Sequence, residues 1–297
     1  MHGLGTAAAG GFSVALLVGL LTGMFGIGGG FFMTPALIVL LGMPGPTAVG
    51  TGMATVLVTS SFAMFKRWRT GTIDVRLAVT IGTGGILGIG IGLHFLEALK
   101  RSAPLVINGH RLEAVDFTLM AAFAVLLVSI AGYVCFDHFR TRGQSGQKRV
   151  GLLAAVKIPP YFCYQSLEQP RLSVVSLVLL GAGIGVLTGL MGVGGGILLL
   201  PALMYLVGQG VAKAAGTSLL IVWVSSLTAV ALNAKYGNID LPLWAVMAAG
   251  GLIGAFLGTR IGLKAEEVKL RICFFCVVLG AFLLVCYKMV DLTFGGN

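Results

Sequence analysis

The sequence predicts an all-α integral membrane protein made of two internal repeats, related by inversion, each with about five hydrophobic segments. Three observations predict it. Of 297 residues, 57% are hydrophobic and only 10% are charged, where soluble domains carry about 25% charged residues. Apolar stretches of membrane-spanning length recur along the chain. One glycine-rich phrase occurs twice: residues 22–37 read TGMFGIGGGFFMTPAL and residues 188–203 read TGLMGVGGGILLLPAL, an offset of 166.

The offset then holds without a gap. It carries Gly50-Thr51 onto Gly216-Thr217, Gly71-Thr72-Ile73-Asp74 onto Gly237-Asn238-Ile239-Asp240, and Gly92 onto Gly258. Such a register marks an internal duplication. A duplicated apolar chain whose helices break at matching places has the organisation of a secondary transporter.

The hydrophobic segments of the first half fall at about 7–25, 31–42, 47–65, 75–96 and 117–136, and those of the second at about 172–191, 197–208, 213–233, 241–262 and 268–288. This divides the chain into a first transmembrane repeat (1–136), a basic cytoplasmic linker (137–171) and a second transmembrane repeat (172–297). A crossing needs about 20 apolar residues. The second segment of each half has about 12, or about 18 Å of helix, too short to cross alone. The total is 8–10 transmembrane helices, with short or re-entrant helices at the glycine motifs.

Charge places the loops. No Asp, Glu, Lys or Arg precedes Lys66, so the basic region of a cleaved signal peptide is missing and Met1 onward is expected to be retained. The linker carries Arg140, Arg142, Lys148, Arg149, Lys157 and Arg171 against Asp137 and Glu168, which predicts a cytoplasmic position. Lys66, Arg67, Arg69 and Arg76 mark a second cytoplasmic loop, two crossings earlier. In the second half the matching loop holds only Lys235, and the basic excess moves to Arg260, Lys264, Lys269 and Arg271. Equivalent loops therefore lie on opposite sides, as inverted repeats require, with both chain ends outside. Lys100, Arg101 and Arg111 in an external loop run against this pattern. The net charge of +10 serves membrane orientation in this reading, with no nucleic-acid partner.

The glycines fall into two kinds. Gly84, Gly88 and Gly92, like Gly250, Gly254 and Gly258, recur every four residues. They line one helix face and let another backbone approach closely. The clusters Gly26-x-Gly28-Gly29-Gly30 and Gly192-x-Gly194-Gly195-Gly196 instead open the short segments. Consecutive glycines unwind a helix and free backbone N–H groups, which in hydrocarbon must face protein, water or a ligand. The helix starts that follow favour an anion; the alternative is that these glycines only permit tight packing. Pro35 and Pro201 fall early in those short helices, where proline is best tolerated. The expected substrate-binding residues are Gly28, Gly29, Gly30, Gly194, Gly195 and Gly196, completed by Thr51 and Thr217. Ser60 and Ser226 match as well, but their hydroxyls are expected to bond back to their own helices. Arg67, Arg69, Asn233 and Lys235 are expected to signal topology, with a mouth role in attracting anions as the alternative.

All ten acidic residues fall in loops or near segment ends. Intramembrane carboxylates mark cation and proton pathways, so their lack points to an anion. His2, His94, His110 and His138 have no metal-ligand or catalytic spacing. The glycine runs lack the Lys-Ser/Thr of a nucleotide cradle. Cys135, Cys163 and Cys286 are scattered; Cys273-x-x-Cys276 lies in an apolar run with no second pair or histidine nearby. No catalytic residue, metal or cofactor is expected, and the chain does not read as an enzyme.

The duplicated G-x-G-G-G-x-x-x-x-P-A-L phrase, the following A-V-G-T and A-A-G-T, the G-x-I-D turns and the glycine-striped helices resemble the sulfite exporter family, TauE/SafE. The resemblance covers nearly the whole chain apart from the linker. It implies a multi-pass inner-membrane protein moving sulfite, an organosulfonate such as sulfoacetate, or another small sulfur-containing anion, usually outward. The expected mechanism is alternating access, the two repeats rocking about a midplane site. An anion channel, a cysteine-based membrane enzyme and an assembly subunit are the alternatives, and the only partners expected are the small anion and the lipid bilayer.

Overall fold

The structure, a computed structural model, describes residues 2–101, 105–107, 110–112, 114–140, 151–155, 158–164, 171–262 and 276–287. The first repeat contains α1 (His2–Phe25), α2 (Gly30–Leu41), α3 (Gly45–Trp68), α4 (Val75–Lys100) and α5 (Ala114–Arg140). The second contains α6 (Val174–Met191), α7 (Gly196–Pro201), α8 (Val211–Lys235), α9 (Leu241–Gly262) and α10 (Cys276–Tyr287). Among the described residues, α1, α3, α4, α6, α8 and α9 are each long and apolar enough to cross a membrane. The predicted segments 7–25 through 241–262 each coincide with a helix; part of segment 268–288 lies outside the described residues.

The repeated turns have a shared local cause. In each G-x-I-D sequence the glycine sits left-handed after a helix, Gly71 at φ 65° and Gly237 at φ 68°. A side chain resists that conformation, so the helix stops there. The aspartate then caps the next helix. Asp74 accepts from the Leu77 amide and Asp240 from the Leu243 amide, both at 3.0 Å. The short helices differ in one respect. α2 stays α-helical through Pro35, whereas after Pro201 the chain continues as a π-helix, Ala202–Val207. Proline removes a helical donor, and the wider turn relieves the crowding.

The glycine stripes set the long-range packing. A Cβ at Gly84, Gly88 or Gly92 of α4 would strike the carbonyls of Val178, Ala182 or Val186 on α6. A Cβ at Gly250, Gly254 or Gly258 of α9 would strike those of Phe12, Leu16 or Leu20 on α1. The offset of 166 maps one trio of contacts onto the other. Each stripe thus packs backbone to backbone against the first helix of the other repeat. In lipid this close approach replaces hydrophobic burial as the force holding helices together. On the outer side of α4, Leu87 (67% exposed) and Ile91 (63%) turn away from the protein, toward where lipid would lie.

The contacts also give direction. Residue numbers rise together along α1 and α9, and along α4 and α6, so each pair is parallel. The central pair, α3 and α8, is antiparallel. Gly50 near the start of α3 meets Asn238 just past the end of α8, and Gly216 near the start of α8 meets Thr72 just past the end of α3. Since α3 and α8 are counterparts, the repeats are inverted. α1 runs toward the end of α3, α2 returns from the break, and α3 then crosses, so the first two helices act as a hairpin.

A 3-10 turn (Leu152–Ala155) and two short antiparallel hairpins complete the described chain. β1 (Leu105–Ile107) pairs with β2 (His110–Leu112) between α4 and α5, and β3 (Tyr161–Cys163) pairs with β4 (Arg171–Ser173), which joins the linker to the second repeat.

Candidate functional site

Both glycine runs break the backbone in one way. Gly26, Gly28 and Gly29 have φ of 73°, 72° and 63°, and Gly192, Gly194 and Gly195 have φ of 69°, 71° and 73°. Gly29 and Gly195 stand at the N-caps of α2 and α7. A Cβ disfavours three such angles in so short a run, which is why the runs are glycine. All six glycines, and Gly30 and Gly196 after them, are buried.

The breaks meet across the two repeats. A Cβ on Gly30 would lie 2.6 Å from the Val193 carbonyl oxygen, and one on Gly196 would overlap the Ile27 carbonyl. Ile27 and Val193 are themselves counterparts, each with no exposed surface. Gly28 reaches Val222, the twelfth of 25 residues in α8, and Gly194 reaches Val56, the twelfth of 24 in α3. The breaks therefore sit halfway along the two central helices. Among the described residues, no acceptor meets the amides of Gly28 through Phe31 or of Gly194 through Ile197. These free donors carry the positive end of each short helix. In this conformation the breaks close tightly on each other.

Thr51 and Thr217 bond to the opposing turns. Thr51 Oγ1 accepts from the Asp240 amide at 3.0 Å, and Thr217 Oγ1 from the Asp74 amide at 3.1 Å. Gln209 also donates to Thr217, at 3.2 Å. Both hydroxyls thus tie the start of a central helix to a G-x-I-D turn of the other repeat. Ser60 and Ser226 donate back to carbonyls three residues earlier, as expected.

Other polar groups around the breaks escaped the sequence reading. Ser218 donates to the Gly26 carbonyl at 2.9 Å. Its counterpart is Gly52, so the duplication offered no signal. Arg67 and Asn233, expected as loop markers of topology, are 7% and 1% exposed. Their matched register was the available sign. Cys163 and Cys276 are exposed, and Cys273 lies outside the described residues. Among the described residues, no three His, Cys, Asp or Glu side chains gather as metal ligands.

Comparison with known proteins agrees with this architecture. The chain is 27% identical over 270 residues to "Probable membrane transporter protein YjnA" of Bacillus subtilis, covering 90% of this chain and 94% of that one. It is 28% identical over 288 residues to "Probable membrane transporter protein MJ0441" of Methanocaldococcus jannaschii, covering 92% and 93%. A "Probable membrane transporter protein" of Xylella fastidiosa is 27% identical over 257 residues, covering 85% and 84%. No solved structure matches the chain. The family described as "Sulfite exporter TauE/SafE" matches residues 11–285, across both repeats and both breaks. This chain therefore belongs to the sulfite exporter TauE/SafE family, a family of multi-pass membrane transporters and not of enzymes.

Proposed function

We propose that the protein carries a small sulfur-containing anion, sulfite or an organosulfonate, outward across the inner membrane by alternating access. The observation that carries this reading is the meeting of two counterpart breaks, Gly30 on Val193 and Gly196 on Ile27, with unpartnered amides on both sides. Amides at helix starts are good ligands for an oxyanion, and a dry site strengthens them. Gly28–Gly30 and Gly194–Gly196 would supply the donors once the breaks part. Thr51 and Thr217 would act at the edge of the site, where they link each central helix to the opposing turn.

The packing suggests which parts move. Whole repeats cannot rock apart without separating the glycine stripes, where backbones touch. α1, α2, α3 and α9 contact one another, and so do α4, α6, α7 and α8. Each group mixes both repeats. The groups meet at α3 and α8 and at the breaks, so motion there would expose the amides to one side and then to the other. Basic residues at the end of α3 support a cytoplasmic position for that end and for the linker.

The test is flux. Vesicles containing the purified protein are loaded with labelled sulfite under an imposed pH gradient. Faster release than from protein-free vesicles, reduced in Gly29→Ala and Gly195→Ala, is expected. Equal release from both kinds of vesicle rejects sulfite as cargo.

A further inference from the structure

Positions 67 and 233 are counterparts in the last turns of α3 and α8, and both are buried. Their surroundings differ. Asn233 donates to the Ala229 carbonyl at 2.9 Å and accepts from Asn238 at 3.3 Å. Asn238 in turn donates to Glu97 at 2.6 Å and accepts from Lys100 at 3.2 Å. One carboxylate and one ammonium, 3.9 Å apart, close that network within the protein.

Among the described residues, Arg67 has no such closure. Its Nη2 donates to the Met24 carbonyl at the end of α1, at 3.3 Å. Its Nε is buried without a hydrogen-bond partner, and among the described residues no carboxylate lies within ion-pair distance. Where the other repeat has Asn238, this end has Thr72, and where Glu97 stands in one register the sequence has Leu263 in the other. Lys66 and Arg260 lie 5.1 and 4.1 Å from the ring centroid of Phe256.

A guanidinium cannot shed its proton under ordinary conditions. Buried without a counter-charge, it is strongly unfavourable. One carbonyl at a helix end offsets this only in part. We propose that Arg67 is a binding residue for an oxyanion with at least two oxygens, at the basic end of α3 beside the first glycine break. Nε and a terminal nitrogen form the fork that matches two such oxygens. The residue keeps 7% exposure, although Nε itself is covered in this conformation. The anion is either a free solute or the phosphate of a lipid headgroup. This site is separate from the glycine amides, and it stands whether or not sulfite is the cargo.

The test is thermal unfolding of the purified full chain in neutral detergent. Sulfite or sulfate is compared with chloride at equal ionic strength, and phosphatidylglycerol is added in a separate arm. A saturable rise of the midpoint with the inorganic oxyanions identifies a solute site. A rise with the phospholipid alone identifies a headgroup site. In either case Arg67→Asn, which installs the residue of the other repeat, is expected to abolish the rise. Arg67→Lys keeps the charge but loses the fork, and should raise the half-saturating concentration about tenfold. No rise in the wild type, or a rise unchanged in both variants, overturns the proposal. Should Arg67→Asn fail to fold, the lysine variant decides in the same way. A retained rise with no sulfite flux would reject the cargo and keep the site.

Discussion

The Thr51 hydroxyl accepts a hydrogen bond from the backbone amide of Asp240, 189 residues away, at 3.0 Å. The same bond recurs between Thr217 and Asp74 at 3.1 Å. Two latches at opposite ends of the antiparallel pair α3 and α8 thus hold each central helix to a turn of the other repeat.

Thr51→Val and Thr217→Val should each strand a partly buried amide. The expected cost is about 1–3 kcal/mol apiece, and the serine variants should retain most of the stability. Denaturation of the purified variants measures this. Because the latches share no partner, the double variant should lose the sum of the two. A Thr51→Val protein as stable as the wild type would show that the bond contributes nothing.

Gly88 and Gly90 lie one turn-half apart on α4 with opposite surroundings. A Cβ on Gly88 meets the Ala182 carbonyl, whereas one on Gly90 meets nothing within 4 Å. Gly88→Ala should destabilise by about 1–3 kcal/mol through overpacking. Gly90→Ala should be neutral or stabilising by up to about 1 kcal/mol, since alanine restricts the unfolded chain. Monodispersity and melting temperature in detergent separate the two. Equal effects would refute the backbone contact of α4 with α6.

Gly28→Ala and Gly194→Ala incur similar backbone strain, of about 1–2 kcal/mol, at φ 72° and 71°. They differ in space. The added methyl lies 2.5 Å from Val222 Cγ1 in the first case and 3.4 Å from Val56 Cγ1 in the second. Gly28→Ala should therefore be the more damaging to stability and flux, and Val222→Ala should relieve it in part. Absence of any rescue would place the damage elsewhere.

Thr70 and Tyr236 occupy one register and are both exposed. In a cysteine-free background, Thr70→Cys should react with an impermeant maleimide from the cytoplasmic face, and Tyr236→Cys from the outer face. Labelling of both from one face would contradict the inversion.

The Trp223 indole, on α8, donates to the Ser61 hydroxyl, on α3, at 2.8 Å. It bridges the two groups of helices proposed to move. With Trp68 and Trp244 replaced by phenylalanine, sulfite should shift the Trp223 emission, and Ser61→Ala should shift the baseline. Unchanged emission in a variant that still moves sulfite would exclude motion between α3 and α8.

Much of the architecture was legible in the chain. Loop arginines and lysines shift between halves, and that shift by itself implies inversion. The G-x-I-D turns were readable because a left-handed glycine and a capping aspartate act within a few residues. The glycine breaks were readable for the same reason, since positive φ is a local demand. Partners were another matter. A stripe such as Gly84, Gly88 and Gly92 announces a close contact, yet any small-faced helix satisfies it, and only the fold selected α6.

The sequence by itself determined two duplicated, membrane-embedded halves with breaks at matching places, because periodicity, charge and glycine act over short range. Tertiary structure alone decided that the halves interlock, that Thr51 and Thr217 serve the opposing turns, and that Arg67 is buried with no carboxylate among the described residues within ion-pair distance. Those outcomes depend on which surfaces meet in three dimensions, and that choice is made jointly by residues 43 positions apart, as for Arg67 and Met24, or 189, as for Thr51 and Asp240.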